Sequence, residues 1–457
     1  MSEVPRPSVI ANLRHRVLSG VALHRTTIRF DIAAGLTVGA MLIPQAMAYA
    51  LLAGLPPEVG LYASIVPLLV YALAGSSPQL AVGPVAVSSL MTAAALHNHV
   101  DEGTAGYLGA AAALAVLVGV VHVVIGWARL GSLVRLLTPP VLAGFTTAVA
   151  LVIGVGQLDQ LIGVKVPRSD RLLSIVWNLG GALEGIHAST TLLSIGCVLA
   201  LIGMRRASRA VPAALVVVVL STITVAVLGL EGRGVRVVGD IPGHLPLVAF
   251  PDVSSNLWLS LVPAAVMITL VGFVQSFAVA KLYADRGDYH VDANRELVGL
   301  GLANVAAGFF QGYSITGGLA RTAVNVDAGA RTRAATVISA LVVLATVVLL
   351  TPAFRLLPRA ALAAIIVVAV VRMIDLRALR SMMAADRADA VVLWVTFGAT
   401  AALGLQLGIA TGVAASIVAA AVRRIQHRRD DDDDDGAGRP DESAQRVQPP
   451  LPNEVTR

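Results

Sequence analysis

The sequence predicts an all-α polytopic membrane protein. It predicts fourteen transmembrane segments in two inverted seven-segment repeats, two of them half-helices preceded by short extended strands. Three observations carry this. The 457 residues are 56% hydrophobic and only 14% charged, whereas a soluble domain is about a quarter charged. Apolar stretches of spanning length recur from about residue 30 to 422, too many for one buried core. One long polar–apolar mixture, residues 231–256, divides them into halves of seven. An odd number of crossings in each half turns one half upside down relative to the other.

Hydropathy and turn residues place the segments at 30–53, 58–75, 80–97, 107–127, 134–156, 171–203 and 211–230 in the first repeat (30–230). In the second (257–424) they fall at 257–284, 294–310, 313–328, 334–352, 360–374, 388–404 and 407–422. Asn178, Glu184 and His187 make the first half of 171–203 amphipathic, so it reads either as one span or as an interfacial helix followed by a span.

Charge orients the chain. Arg129 and Arg135, Arg205, Arg206 and Arg209, Lys281 and Arg286, Arg331 and Arg333, and Arg372, Arg377, Arg380 and Arg387 fall in alternate loops, and Arg423 follows the last span. Glu58, Asp101 and Glu102 fall in the opposite loops. The positive-inside rule then puts both termini in the cytoplasm of an inner (cell) membrane, with 231–256 as an extracellular linker. The net charge of +6 is accounted for by these loops and implies no nucleic-acid partner. Residues 1–29 form a basic cytoplasmic segment. The tail 425–457, with the run Asp430–Asp435 and a Pro-rich remainder, is expected to be disordered.

Cys197 is the single cysteine, so there is no disulfide framework and no Cys-based metal site. The spans hold no HExxH and no paired carboxylates, which argues against an enzyme and against a metal or other cofactor. No acidic residue is expected deep in a span.

Two segments depart from an ordinary span. "SSPQLAVGPVAVSSLM" (76–91) places Gly83-Pro84 inside an apolar run. Proline lacks an N–H and suits the first turn of a helix, so an extended piece to Gly83 and a half-helix from about Pro84 are expected. "GYSITGGLARTAVNV" (312–326) repeats the pattern, with Gly317-Gly318 ending the extended piece and a half-helix from Leu319. Inverted repeats would aim the two helix N-termini at each other near the midplane, a place for an anion. The plainer alternative is two kinked continuous helices.

Arg321 lies in the first turn of the second half-helix, with no acid in the same apolar stretch. A cation there is disfavoured by both the bilayer and the helix dipole, which points to an anionic ligand. A pair with Asp327 is the alternative. Gln45 and Tyr49, spaced i and i+4, share one face of the first span and offer an amide donor, an aromatic wall and a hydroxyl.

These stretches resemble the SulP (sulfate permease) anion transporters. The similarity runs in order over about 30–424, through "DIAAGLTVGAMLIPQAMAYALLAGLPPEVGLYASIVP", "AVGPVAVSSLM" and "NRELVGLGLANVAAGFFQGYSITGGLARTAVNVDAGARTR". The resemblance implies a core and a gate domain, elevator-type movement between them, a homodimer and an anion site between segments three and ten. Carried onto this chain, the substrate-binding positions are Gln45 and Tyr49, then Pro84, Val85 and Ala86, then Gly318, Leu319, Ala320 and Arg321. Ala320 stands where the family often has serine.

There are two further departures. The family's usual C-terminal STAS domain is not expected after the last span. The coupling carboxylate of segment eight is replaced by Gln275, which cannot titrate. The expected function is secondary transport or exchange of a small anion such as sulfate, bicarbonate, chloride or a dicarboxylate. An uncoupled, channel-like anion conductor and a nucleobase transporter of the same fold remain as alternatives.

Overall fold

The computed structural model describes residues 27–97, 99–132, 137–167, 169–207, 212–376, 379–381 and 386–436, with side chains to Arg423. The expectations for residues 1–26, for Arg135, Arg209 and Arg377, and for 437–457 lie outside the described residues.

In chain order the helices of the first half are α1 (Ile28–Leu52), α2 (Pro57–Tyr62), α3 (Val66–Ala74), α4 (Ala86–Leu96), α5 (Ala105–Trp127), α6 (Pro139–Gly156), α7 (Leu158–Ile162), α8 (Leu172–Gly181), α9 (Ala188–Ala207) and α10 (Ala213–Leu228). Those of the second half are α11 (Ser255–Gly287), α12 (Ala293–Phe309), α13 (Leu319–Asp327), α14 (Ala334–Leu349), α15 (Arg359–Val370), α16 (Arg387–Leu403) and α17 (Leu405–Gly436). Two short strands, β1 (Val82–Gly83) and β2 (Thr316–Gly317), precede α4 and α13. Among the described residues, seven helical stretches are long and apolar enough to cross a membrane unaided, including α1, α5 and α11.

The helices pack in two groups. α1–α5 interlock with α11–α14: α5 lies along α12, α1 along α14, and α3 against α12. α6–α10 pack with α15–α17 through α6 on α16 and α9 on α15. Each group therefore takes elements from both halves of the chain, and α1 touches the second group mainly through α10 and α15.

Glycine makes the tightest core contacts possible. A Cβ on Gly35 would come to 2.6 Å from Ile338 Cβ, and one on Gly39 to 2.7 Å from Val342 Cβ. Small residues four apart let helix backbones approach where apolar lipid gives helices no hydrophobic reason to associate. Outward-facing Trp127 and Trp177, each 85% exposed, and Leu192, Leu199 and Val227 leave an apolar surface suited to lipid.

Several expectations shift. The 171–203 stretch takes the second of its two expected forms, two helices, α8 and α9, broken at 182–187, where Leu183–Gly185 forms a 3-10 turn. The first half-helix begins at Ala86 rather than near Pro84, because Val85 is extended (φ −137°, ψ 155°) and serves as its N-cap. α17 continues as helical backbone to Gly436, through a stretch expected to be disordered from residue 425.

Two acids are nonetheless buried at span ends. Glu296, in the first turn of α12, is fully buried. Its carboxylate accepts from Tyr71 Oη (2.5 Å), Ser76 Oγ (2.6 Å) and Ser76 N (2.9 Å). Asp31 is buried as well and accepts from the backbone N–H groups of Arg331 and Thr332. Both lie near helix starts, where hydrogen-bond donors hold the charge.

Candidate functional site

β1 and β2 pair antiparallel, Val82 opposite Gly317 and Gly83 opposite Thr316. Antiparallel pairing sends the helices that follow, α4 and α13, away from the ribbon in opposite directions, with both N-termini at the ribbon. Continuous kinked helices are thus excluded for both segments. Local sequence explains the breaks. Gly83 has φ +149°, open to glycine and few others, and Pro84 has no N–H to give to a preceding turn. Gly318 is extended, caps α13, and donates its N–H to Ala81 O at 3.0 Å.

Neither half-helix has a side-chain cap on its first turn. The N–H groups of residues 86–88 and 319–321 therefore have no acceptor within their helices and carry the positive end of the dipole.

Arg321 joins the two. It is 2% exposed, and its Nη1 donates to Pro84 O at 2.6 Å. Its Nε and Nη2 are buried with no hydrogen-bond partner among the described residues. The guanidinium lies against the ribbon's Gly83 and the capping Gly318: a Cβ on Gly83 would meet Nη2 at 3.3 Å, and one on Gly318 would meet it at 3.1 Å. Among the described residues no carboxylate accepts from it, so the pairing with Asp327 is not made. A buried cation with two unused donors is costly unless an anion meets it.

Gln45 (4% exposed) and Tyr49 (7%) are both buried on α1. The Gln45 amide makes no hydrogen bond among the described residues, while Tyr49 and Tyr313 lie within electrostatic reach of Arg321. Tyr313 Oη is 2.9 Å from Ser89 Oγ on α4. Pro84 and Ala86 are buried and Val85 half-buried. Leu319 (57% exposed) and Ala320 stand on the open side of the α13 N-terminus. Gln275 on α11 is half-buried beside the buried Ser276. A crevice of about 340 Å³ between α4 and α6–α8 reaches Leu90, one turn along α4 from its start.

The residues that hold the ribbon went unnoticed in the sequence. Asn304 on α12 donates to Ile315 O (3.0 Å) and accepts from Ile315 N (2.9 Å) and Ser314 Oγ (3.2 Å). Ser276 Oγ accepts from Gly317 N at 2.8 Å, and Thr322 Oγ1 accepts from Ala81 N at 3.0 Å. The detectable signal was a lone polar residue in an apolar helix, which by itself does not distinguish a ligand from a strut.

Known proteins share this plan. The sulfate permease family profile matches residues 28–396. A probable sulfate transporter of Mycobacterium tuberculosis is 38% identical over 408 residues, covering 89% of this chain and 72% of that protein. The probable sulfate transporter 4.2 of Arabidopsis thaliana is 36% identical over 395 residues, covering 85% of this chain but 58% of the relative's length. In structure, the chain superposes on the murine solute carrier 26 family member A9 anion transporter in its inward-facing state with a TM-score of 0.84, at 27% identity, over 93% of this chain and 74% of that one. With its paired strands, opposed half-helices and profile match over most of its length, the chain belongs to the sulfate permease family.

Proposed function

We propose that the protein is a secondary transporter or exchanger of a small anion, held between the N-termini of α4 and α13 against Arg321. The observation that carries this reading is the buried guanidinium with Nε and Nη2 unpartnered, flanked by two uncapped helix starts. Membership of a permease family sets the enzymatic reading aside. Gln45, Tyr49, Pro84, Val85, Ala86, Gly318, Leu319 and Ala320 line the proposed site. The names of the relatives put sulfate first among the candidates.

Movement of the α1–α5/α11–α14 group against the rest is the proposed route of access, supported by the narrow contact of α1 with α10 and α15. An inner-membrane location with both termini inside, and a homodimer through the membrane part, belong to the same proposal. The arginine bias and the family support them.

Gln275 in place of a titratable group favours a second reading, an uncoupled conductor. One experiment separates the two: uptake of labelled sulfate, bicarbonate, chloride and a dicarboxylate into proteoliposomes at several pH values, with and without sodium. Saturable uptake of at least one anion, lost in Arg321→Ala with insertion intact, is the expected result. Flux that never saturates selects the conductor, and normal uptake by Arg321→Ala removes the site.

A further inference from the structure

The ring of Phe30 gathers two guanidiniums. Arg29 Cζ and Arg331 Cζ each lie 4.7 Å from its centroid, so they stand no farther apart than twice that distance. One belongs to the first turn of α1, the other to the turn that joins α13 to α14. Asp31 fixes the meeting. Its buried carboxylate accepts from the N–H groups of Arg331 (2.8 Å) and Thr332 (2.9 Å) and from Thr332 Oγ1 (2.8 Å). Those bonds go to backbone and hydroxyl, and among the described residues neither guanidinium forms an ion pair. Both arginines are exposed. Arg333, two residues on, is the contrast: it is buried, and its Nη1 donates to Leu73 O and Gly75 O inside the protein.

A phenyl face attracts each cation, but two like charges over one ring repel, and Asp31 offsets only one of them. The remaining positive charge suits an anion. What surrounds it decides which kind. Arg29, Ile32 and Leu36 are spaced i, i+3 and i+7 and share one face of α1, and both Ile32 and Leu36 are exposed. α14, packed along α1, adds the exposed Leu341. α1 is long and apolar enough to span a membrane, so hydrocarbon covers this stripe while the arginines stand at its end, at the depth of the headgroups. A free small anion would match the arginines and leave the apolar stripe without a role. A phospholipid matches both, and the surplus of positive charge favours an anionic headgroup over a zwitterionic one.

We propose that Arg29 and Arg331 bind the headgroup phosphate of an anionic phospholipid whose acyl chain lies along Ile32, Leu36 and Leu341. Because Asp31 ties the α13–α14 turn to the start of α1, the bound lipid grips at one point the helix that carries Gln45 and Tyr49 and the turn that follows the helix of Arg321. The inference does not depend on which anion meets Arg321.

The test is a titration of the full chain in neutral detergent with fluorescent phosphatidylglycerol and, separately, with fluorescent phosphatidylcholine. The native protein should bind phosphatidylglycerol at least about five-fold more tightly than phosphatidylcholine. Arg29→Gln and Arg331→Gln should each weaken phosphatidylglycerol binding about five-fold, the contribution of one arginine at an anionic membrane surface, and leave phosphatidylcholine binding unchanged. Asp31 keeps its backbone bonds in both variants, and either one alone carries the test. Inorganic phosphate and glycerophosphoglycerol, which lack acyl chains, should displace the labelled lipid only at large excess. Native affinity for phosphatidylglycerol in both variants overturns the site, as do equal affinities of the native protein for the two lipids. Full displacement by inorganic phosphate at the concentration of the lipid also overturns it, by assigning the arginines to a free anion.

Discussion

Arg321 Nη1 donates to Pro84 O at 2.6 Å across 237 residues of sequence. The bond ties the first turn of one half-helix to the extended lead-in of the other, and it uses one edge of the guanidinium. The nitrogens left without partners, Nε and Nη2, are the pair that forms the side-on fork with which arginine grips two oxygens at once. The protein thus fixes the charge with one donor and leaves a two-pronged face for the ligand.

Arg321→Lys separates charge from geometry. Lysine keeps the cation but offers a point charge in place of the fork and cannot hold Pro84 O while meeting an oxyanion in the same plane. Loss of one charge-assisted hydrogen bond costs about 1.5–3 kcal/mol, so sulfate uptake should fall at least about ten-fold in catalytic efficiency. Efficiency equal to that of the native protein would mean the site reads charge alone.

Gly83→Ala acts on both backbone and site. At φ +149° an L side chain is strained, and the new Cβ would crowd Arg321 Nη2 at 3.3 Å and Leu42 Cδ1 at 3.4 Å. Strain of this kind costs about 1–3 kcal/mol. Gly103→Ala is the control: φ is positive there as well, at +80°, but nothing lies within 4 Å of the added Cβ. Both variants should lower the melting temperature in detergent, while Gly83→Ala alone should lose uptake. Equal uptake in the two would detach Gly83 from the site.

Asn304→Ala tests the strut. Its removal leaves Ile315 N–H and C=O and the Ser314 hydroxyl buried without their partner. Each such orphan costs about 1–3 kcal/mol in water-soluble proteins, and less where the unfolded chain stays in lipid. A net loss of about 2 kcal/mol is expected, read as a lower melting temperature, with a fall in uptake because β2 sets the start of α13. A variant with unaltered melting would show that Ser276 and Thr322 suffice.

The contrast between Arg321 and Asn304 shows what the sequence made legible. Gly83-Pro84 and Gly317-Gly318 break apolar runs with residues that specify backbone geometry locally, so both half-helices and the buried arginine could be located without coordinates. Val85 shifted the first helix start because it stays extended just past the ribbon, whose pairing of Gly83 with Thr316 is made 233 residues away. Ser276 and Glu296 act through partners distant in sequence, and Asn304 through a segment beyond the end of its own helix. Their side chains are common in apolar helices for several reasons, and only the fold decides which applies.

Gln275→Glu addresses coupling. Gln275 is half-buried on α11, next to the serine that holds β2. Burial raises the pKa of an introduced carboxyl, because desolvation penalises the charged form. Below that pKa the glutamic acid is neutral and stands in for the amide, so uptake should match the native protein. As pH rises through it, a negative charge develops near the anion and repels it unless a proton travels too. The variant should therefore lose uptake progressively across about pH 5 to 8, while the native protein, with an amide there, should show no such step. Uptake should recover in the variant alone when the medium outside the vesicles is made more acidic than the interior, if the proton is carried with the anion. Identical pH profiles for the two proteins would place position 275 outside the field of the transported ion.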